Sequence, residues 1–146
     1  MSKNIEDFLS ATEEQEVVET IRQAELNTSG EIRVHLESSS KGEINKRALE
    51  VFYNLKMENT KLQNAVLIYV AVNDKQFVVY GDKGINNVVA YNFWDSTKNT
   101  IEQHFKDGNF KQGLVNGILK AGEQLKKHFP IQSNDQNELP NEITTS

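Results

Sequence analysis

The sequence predicts a single α/β domain built on a mixed β-sheet. Three observations carry this. A strictly alternating strand and an almost wholly apolar one are separated by an amphipathic segment of helical length. A short Asn73-Asp74 turn joins the apolar strand to a third. Everything between that strand and Pro130 is patterned with a helical period. A length of 146 residues suits one domain with one core, large enough to fold without disulfide or metal staples.

The first helix starts near Thr12, where Thr12-Glu13-Glu14-Gln15 has capping-box spacing. Val17, Val18, Ile21 and Ala24 form its apolar face, and Asn27-Thr28-Ser29-Gly30 ends it. Strand one runs from Glu31 to Glu37. Its Ile32, Val34 and Leu36 alternate with Glu31, Arg33, His35 and Glu37, the pattern of a strand buried on one face. A Ser-rich turn and Gly42 lead to the second helix, which carries Ile44, Ala48, Val51, Phe52 and Leu55 at helical spacing. Strand two, Ala65 to Val72, is apolar on both faces and is therefore central. Strand three, Phe77 to Tyr80, completes a hairpin with it.

Trp94, Ile101 and Phe105 share one face of a third helix, which breaks at Asp107-Gly108-Asn109. Phe110, Leu114, Ile118, Ala121 and Leu125 mark a fourth, which ends before Pro130. Gly113 and Gly117, one turn apart, predict close packing on a neighbouring helix. The domain thus occupies 1–130. The segment 131–146 is polar, holds Pro140, and is expected to be a disordered tail.

A net charge of -5 with no basic stripe argues against nucleic acid as a partner. The absence of cysteine removes thiolate nucleophiles, disulfides, iron–sulfur clusters and Cys-based zinc sites. The N-terminus has no hydrophobic signal region and no segment is apolar for long enough to span a bilayer, so the chain as given reads as cytoplasmic. His35, His104 and His128 have no metal-binding spacing, and no Walker loop, nucleophile elbow or dinucleotide fingerprint is present.

Connectivity then predicts which loops meet. The unit strand–helix–strand makes strands one and two parallel, and the tight turn makes strand three antiparallel to strand two. The start of strand one, the start of strand two and the end of strand three therefore share one end of the sheet. Glu31, Asn64 and Asp82 are expected to cluster there, beside the turn Gly81-Asp82-Lys83-Gly84, while Asp74 belongs to the opposite end. Such hard oxygen donors suit calcium, which takes six to eight oxygens, with magnesium as the competing ion. Asn59 is a further amide oxygen flanking strand two. The plain alternative is structural: Asp82 shapes a turn or caps the next helix, and Glu31 is a solvated or salt-bridged carboxylate.

Five stretches in order resemble the TPM domain family: Ser29-Gly30-Glu31-Ile32-Arg33-Val34, Asn64 to Val72, Tyr80-Gly81-Asp82-Lys83-Gly84-Ile85, Phe105 to Phe110 with Gly113-Leu114, and His128-Phe129-Pro130. The resemblance implies a three-layer α/β/α sandwich around a mixed sheet. It also implies calcium binding in some members, weak acid phosphatase activity in plant relatives, and regulatory, envelope-associated roles in bacteria. Carried over, its site positions are Glu31, Asp82 and Asp107. The leading reading is a calcium-binding regulatory module, monomeric, with a protein partner of unknown identity. The alternatives are a weak metal-dependent acid phosphatase and a metal-free structural adaptor. Binding ranks above catalysis because calcium lowers the pKa of bound water less than zinc does.

Overall fold

The computed structural model describes residues 8–131 and 142–146. Its elements are α1 (Ala11–Glu25), β1 (Glu31–Glu37), α2 (Ile44–Asn54), β2 (Ala65–Ala71), β3 (Gln76–Gly81), α3 (Lys83–Asn86), α4 (Asp95–Lys106), α5 (Phe110–His128) and β4 (Ile143–Thr145). The sheet order is β3-β2-β1-β4. β1 and β2 run parallel with Glu31 opposite Ala65, and β2 and β3 run antiparallel with Val66 opposite Gly81.

The two faces of the sheet bury two apolar sets, which makes three layers. Ile32, Val34, Leu36, Val66, Ile68 and Val70 pack on one side with Val17 and Ile21 of α1, Ile101 of α4 and Leu114 and Ile118 of α5. On the other side Ala65, Leu67, Tyr69 and Ala71 meet Ala48, Val51 and Phe52 of α2, together with Met57. The expected sandwich is therefore the fold. α4 and α5 approach closely through the two glycines. A Cβ at Gly117 would lie 2.5 Å from Ile101 Cγ1, and one at Gly113 2.8 Å from the Phe105 ring.

Three local expectations change. The cap of α1 is Ser10, two residues before Thr12. Ser10 Oγ accepts the Glu13 N–H at 3.2 Å, and the Glu13 carboxylate accepts the Ser10 N–H at 2.9 Å. A carboxylate in the third helical position beats the amide of Gln15 because it also complements the helix dipole. β1 is buried on both faces, including its polar one. The cause is the third difference: Ile143–Thr145 is not a disordered tail but a strand, β4, pairing parallel with β1 from Val34–Ile143 to Leu36–Thr145. It supplies partners for main-chain groups that would otherwise form a bare sheet edge. The rest of that expected tail, 132–141, lies outside the described residues.

Candidate functional site

β1 and β2 start, and β3 ends, at one end of the sheet, and the chain pins them there. Asp82 N–H donates to Ala65 C=O at 3.0 Å, and Glu31 N–H to Asn64 C=O at 3.4 Å. Glu31, Asn64 and Asp82 are thus brought to the same end, and each is at most 3% exposed. Gly84 closes the arrangement. Its N–H donates to Gln63 C=O at 2.8 Å, and an added Cβ would stand 2.1 Å from Leu62 O. The glycine is required by this backbone contact.

Asp82 caps α3. Its Oδ1 accepts the Lys83 N–H at 2.8 Å, and its carbonyl accepts Ile85 and Asn86 N–H. The structural alternative for this residue is therefore realised in half of its carboxylate. Its Oδ2 is buried and accepts no hydrogen bond from the described residues. Asn64 Oδ1 and Glu58 Oε1 are in the same condition. Burial pushes the Asp82 carboxyl up from its ordinary value. The Lys83 N–H and ammonium pull it down, and the neighbouring Glu58 charge pushes it up again. Glu58 is thus close enough to repel Asp82. No sequence pattern marked it, since it lies in the irregular segment between α2 and β2. The legible sign was its neighbour Met57, an apolar anchor that is fully buried and fixes the loop.

A second carboxylate pair adjoins through Glu31. Glu25, at the end of α1, accepts the Ile32 N–H at 2.7 Å. Burial and then the Glu31 charge push its carboxyl up to about 8, against the pull of that N–H. Glu25 was not foreseen either, because a carboxylate in a last helical turn reads as solvated.

The other expected positions fall elsewhere. Asn59 is exposed. Asp107 is exposed in the turn between α4 and α5. Its neighbours Lys106 and Gly108 line a groove of about 630 Å³ with Asn73, Lys75 and Gln76 of the β2–β3 turn. α4 starts beside β3, where Trp94 packs under Gly81, and its 12 residues carry the chain about 18 Å to the opposite end of the sheet. Asp107 therefore does not join Glu31 and Asp82. The donors that do assemble are oxygens only, hard and buried, which is the chemistry calcium takes. Among the described residues no three His, Asp or Glu side chains form a ready cage. Two carboxylates would need amide, main-chain and water oxygens beside them.

A separate polar cluster fills the space between the polar face of β1 and residues 142–146. Glu37 is its hub. It accepts both Arg47 Nε at 2.8 Å and Arg47 Nη2 at 2.7 Å, the Tyr69 hydroxyl at 2.5 Å and the Ser146 hydroxyl at 2.6 Å. The Arg47 hydrogen bonds above all hold its carboxyl down to about 2, against burial. His35 bridges Thr144 Oγ1 through Nδ1 and Ser146 Oγ through Nε2, each at 2.7 Å. The one Ser146 hydroxyl proton goes to Glu37, so Nε2 carries the ring proton.

Comparison with known proteins agrees with this architecture. The TPM domain family matches residues 3–124. The BA42 protein of the psychrophilic bacterium Bizionia argentinensis, solved by NMR, is 63% identical over 100% of both chains, with a TM-score of 0.92. The N-terminal domain of the cg2496 protein of Corynebacterium glutamicum is 13% identical, covers 98% of this chain and 78% of that one, and has a TM-score of 0.51. The latter is a likeness of fold. Comparison with curated proteins gives no match.

Proposed function

This chain belongs to the TPM domain family, and from that premise we propose that it is a calcium-binding regulatory module acting on a protein partner. One observation carries the reading: among the described residues, Asp82 Oδ2, Asn64 Oδ1 and Glu58 Oε1 are buried acceptors without donors near the end of the sheet that also holds Glu31. Each unsatisfied buried acceptor costs about 1–3 kcal/mol. A cation satisfies several at once and offsets the repulsion of Asp82 by Glu58. When bound, calcium would supply charge and tie the β1 and β2 starts to the β3–α3 turn. Magnesium suits the site less, because it demands near-ideal octahedral geometry and keeps several of its waters.

Calcium titration followed by backbone amide NMR tests this. The expected outcome is saturable shifts clustered at residues 30–32, 58–65 and 81–85. Shifts that never saturate, or that scatter over the sheet, would overturn it. Glu58→Gln is the informative variant, because Glu58 Oε1 accepts no hydrogen bond from the described residues that the substitution would break. It should weaken calcium binding at least tenfold and leave the fold intact. Turnover of an aryl phosphate that persists through purification and vanishes in Asp82→Asn would replace the binding module with the phosphatase reading.

A further inference from the structure

The outer edge of β1 is filled by residues 142–146 in a pattern that has the form of peptide recognition. Alternate side chains of that segment meet alternate side chains of β1. Glu142 Oε1 takes Arg33 Nη2 at 2.9 Å, Thr144 Oγ1 meets His35 at 2.7 Å, and Ser146 Oγ meets His35 and Glu37. The intervening Ile143 packs on the opposite face against the main core. Main-chain pairing adds the Ser146 N–H to Leu36 C=O bond at 3.2 Å. Ladder bonds for affinity and alternate side chains for specificity define strand addition to a sheet edge.

Two features mark the resident segment as replaceable. It is a strand of three residues, with the Glu142 side chain 56% exposed. It also leaves the site incompletely satisfied, since Arg33 is 6% exposed and its Nε has no acceptor among the described residues. The Arg47–Glu37–Tyr69 bonds, by contrast, come from outside 142–146 and form the floor of the site, to which Ser146 adds one further hydrogen bond at Glu37.

We propose that this edge is a peptide-docking site for an extended segment with an acidic, a hydroxyl and a second hydroxyl side chain at alternate positions. Residues 142–146 occupy it in cis, and a like segment of a partner protein replaces them. A segment tied to the edge through its own chain competes at an effective concentration of order millimolar. Replacement therefore needs either a ligand that also satisfies Arg33 Nε or loss of the resident strand.

The experiment uses the full chain carrying Thr144→Pro, which disrupts β4 pairing. Its labelled amides are titrated with an unlabelled peptide copying residues 142–146. We expect saturable shifts at Arg33–Glu37 that return towards wild-type positions, with affinity at least tenfold above that for the wild-type chain. A control peptide carrying Thr144→Val and Ser146→Ala should bind at least tenfold more weakly. Failure of the folded variant to bind, or equal response to both peptides, overturns the proposal. Should Thr144→Pro not fold, hydrogen exchange on the wild-type chain decides. The Ser146 amide should exchange at least a hundredfold faster than the β1–β2 ladder, and equal protection would mean the edge never opens.

Discussion

Replacing His35 with Gln should remove one identifiable part of the acid sensitivity of this fold. His35 is 4% exposed and is held neutral: burial lowers its pKa to about 4, Glu37 opposes that, and Arg47 and Arg33 add to it. The unfolded ring titrates near 6.5. A folded pKa depressed below the unfolded one gives stability that is complete above about pH 6.5 and lost as pH falls through about 4. At pH 5 the unfolded chain has taken up the proton and the folded chain has not. Linkage makes that worth about 2 kcal/mol between pH 7 and pH 5, rising to about 3 kcal/mol below pH 4. Urea unfolding of both proteins at the two pH values measures it. His35→Gln will cost some stability at pH 7, where Thr144 and Ser146 lose geometry, but that offset is constant. Other groups titrate in both proteins and cancel in the difference. The wild type should therefore lose about 2 kcal/mol more than His35→Gln on going from pH 7 to pH 5. Parallel pH dependences, agreeing within about 0.5 kcal/mol, would refute a buried neutral His35.

Glu25 should act in the opposite direction: its folded pKa is raised to about 8, so its contribution is present below the unfolded value near 4.5 and lost as pH rises through 8. Glu25→Gln should gain on the wild type by a few kcal/mol across that window in the same urea assay. Gly84→Ala should destabilise by about 1–3 kcal/mol, because the new Cβ meets main-chain oxygens at 2.1 and 2.5 Å that no rotamer change relieves. A Tm unchanged within a degree would contradict it. Asp82→Asn should keep the α3 cap, since Asn caps as Asp does, so its thermal midpoint in chelator stays near wild type while calcium stabilisation falls. Equal calcium-induced Tm shifts in both proteins would remove Asp82 from the site.

The legible part of this protein was what depends on periodicity and connectivity. The alternation of Ile32, Val34 and Leu36, the apolar run of β2 and the Asn73-Asp74 turn specify the parallel pair and the hairpin. They thereby specify that Glu31, Asn64 and Asp82 share one end of the sheet. The family resemblance rests on the same stretches. Asp107 shows the limit of such carry-over: a motif residue is placed by the length of α4, which ends at the opposite end of the sheet.

What tertiary structure alone decided was the fate of polar residues. Glu31, Arg33, His35 and Glu37 have the sequence pattern of a solvated face, yet all are buried. Their partners Arg47, Tyr69, Thr144 and Ser146 lie 10 to 111 residues away. Glu25 and Glu58 likewise acquire their meaning from neighbours in space. The physical reason is that apolar burial leaves a periodic trace along the chain, because each residue needs only to face inward. A hydrogen bond or a cation site needs particular atoms from remote segments at fixed distances, and nothing local in the sequence records which atoms those are.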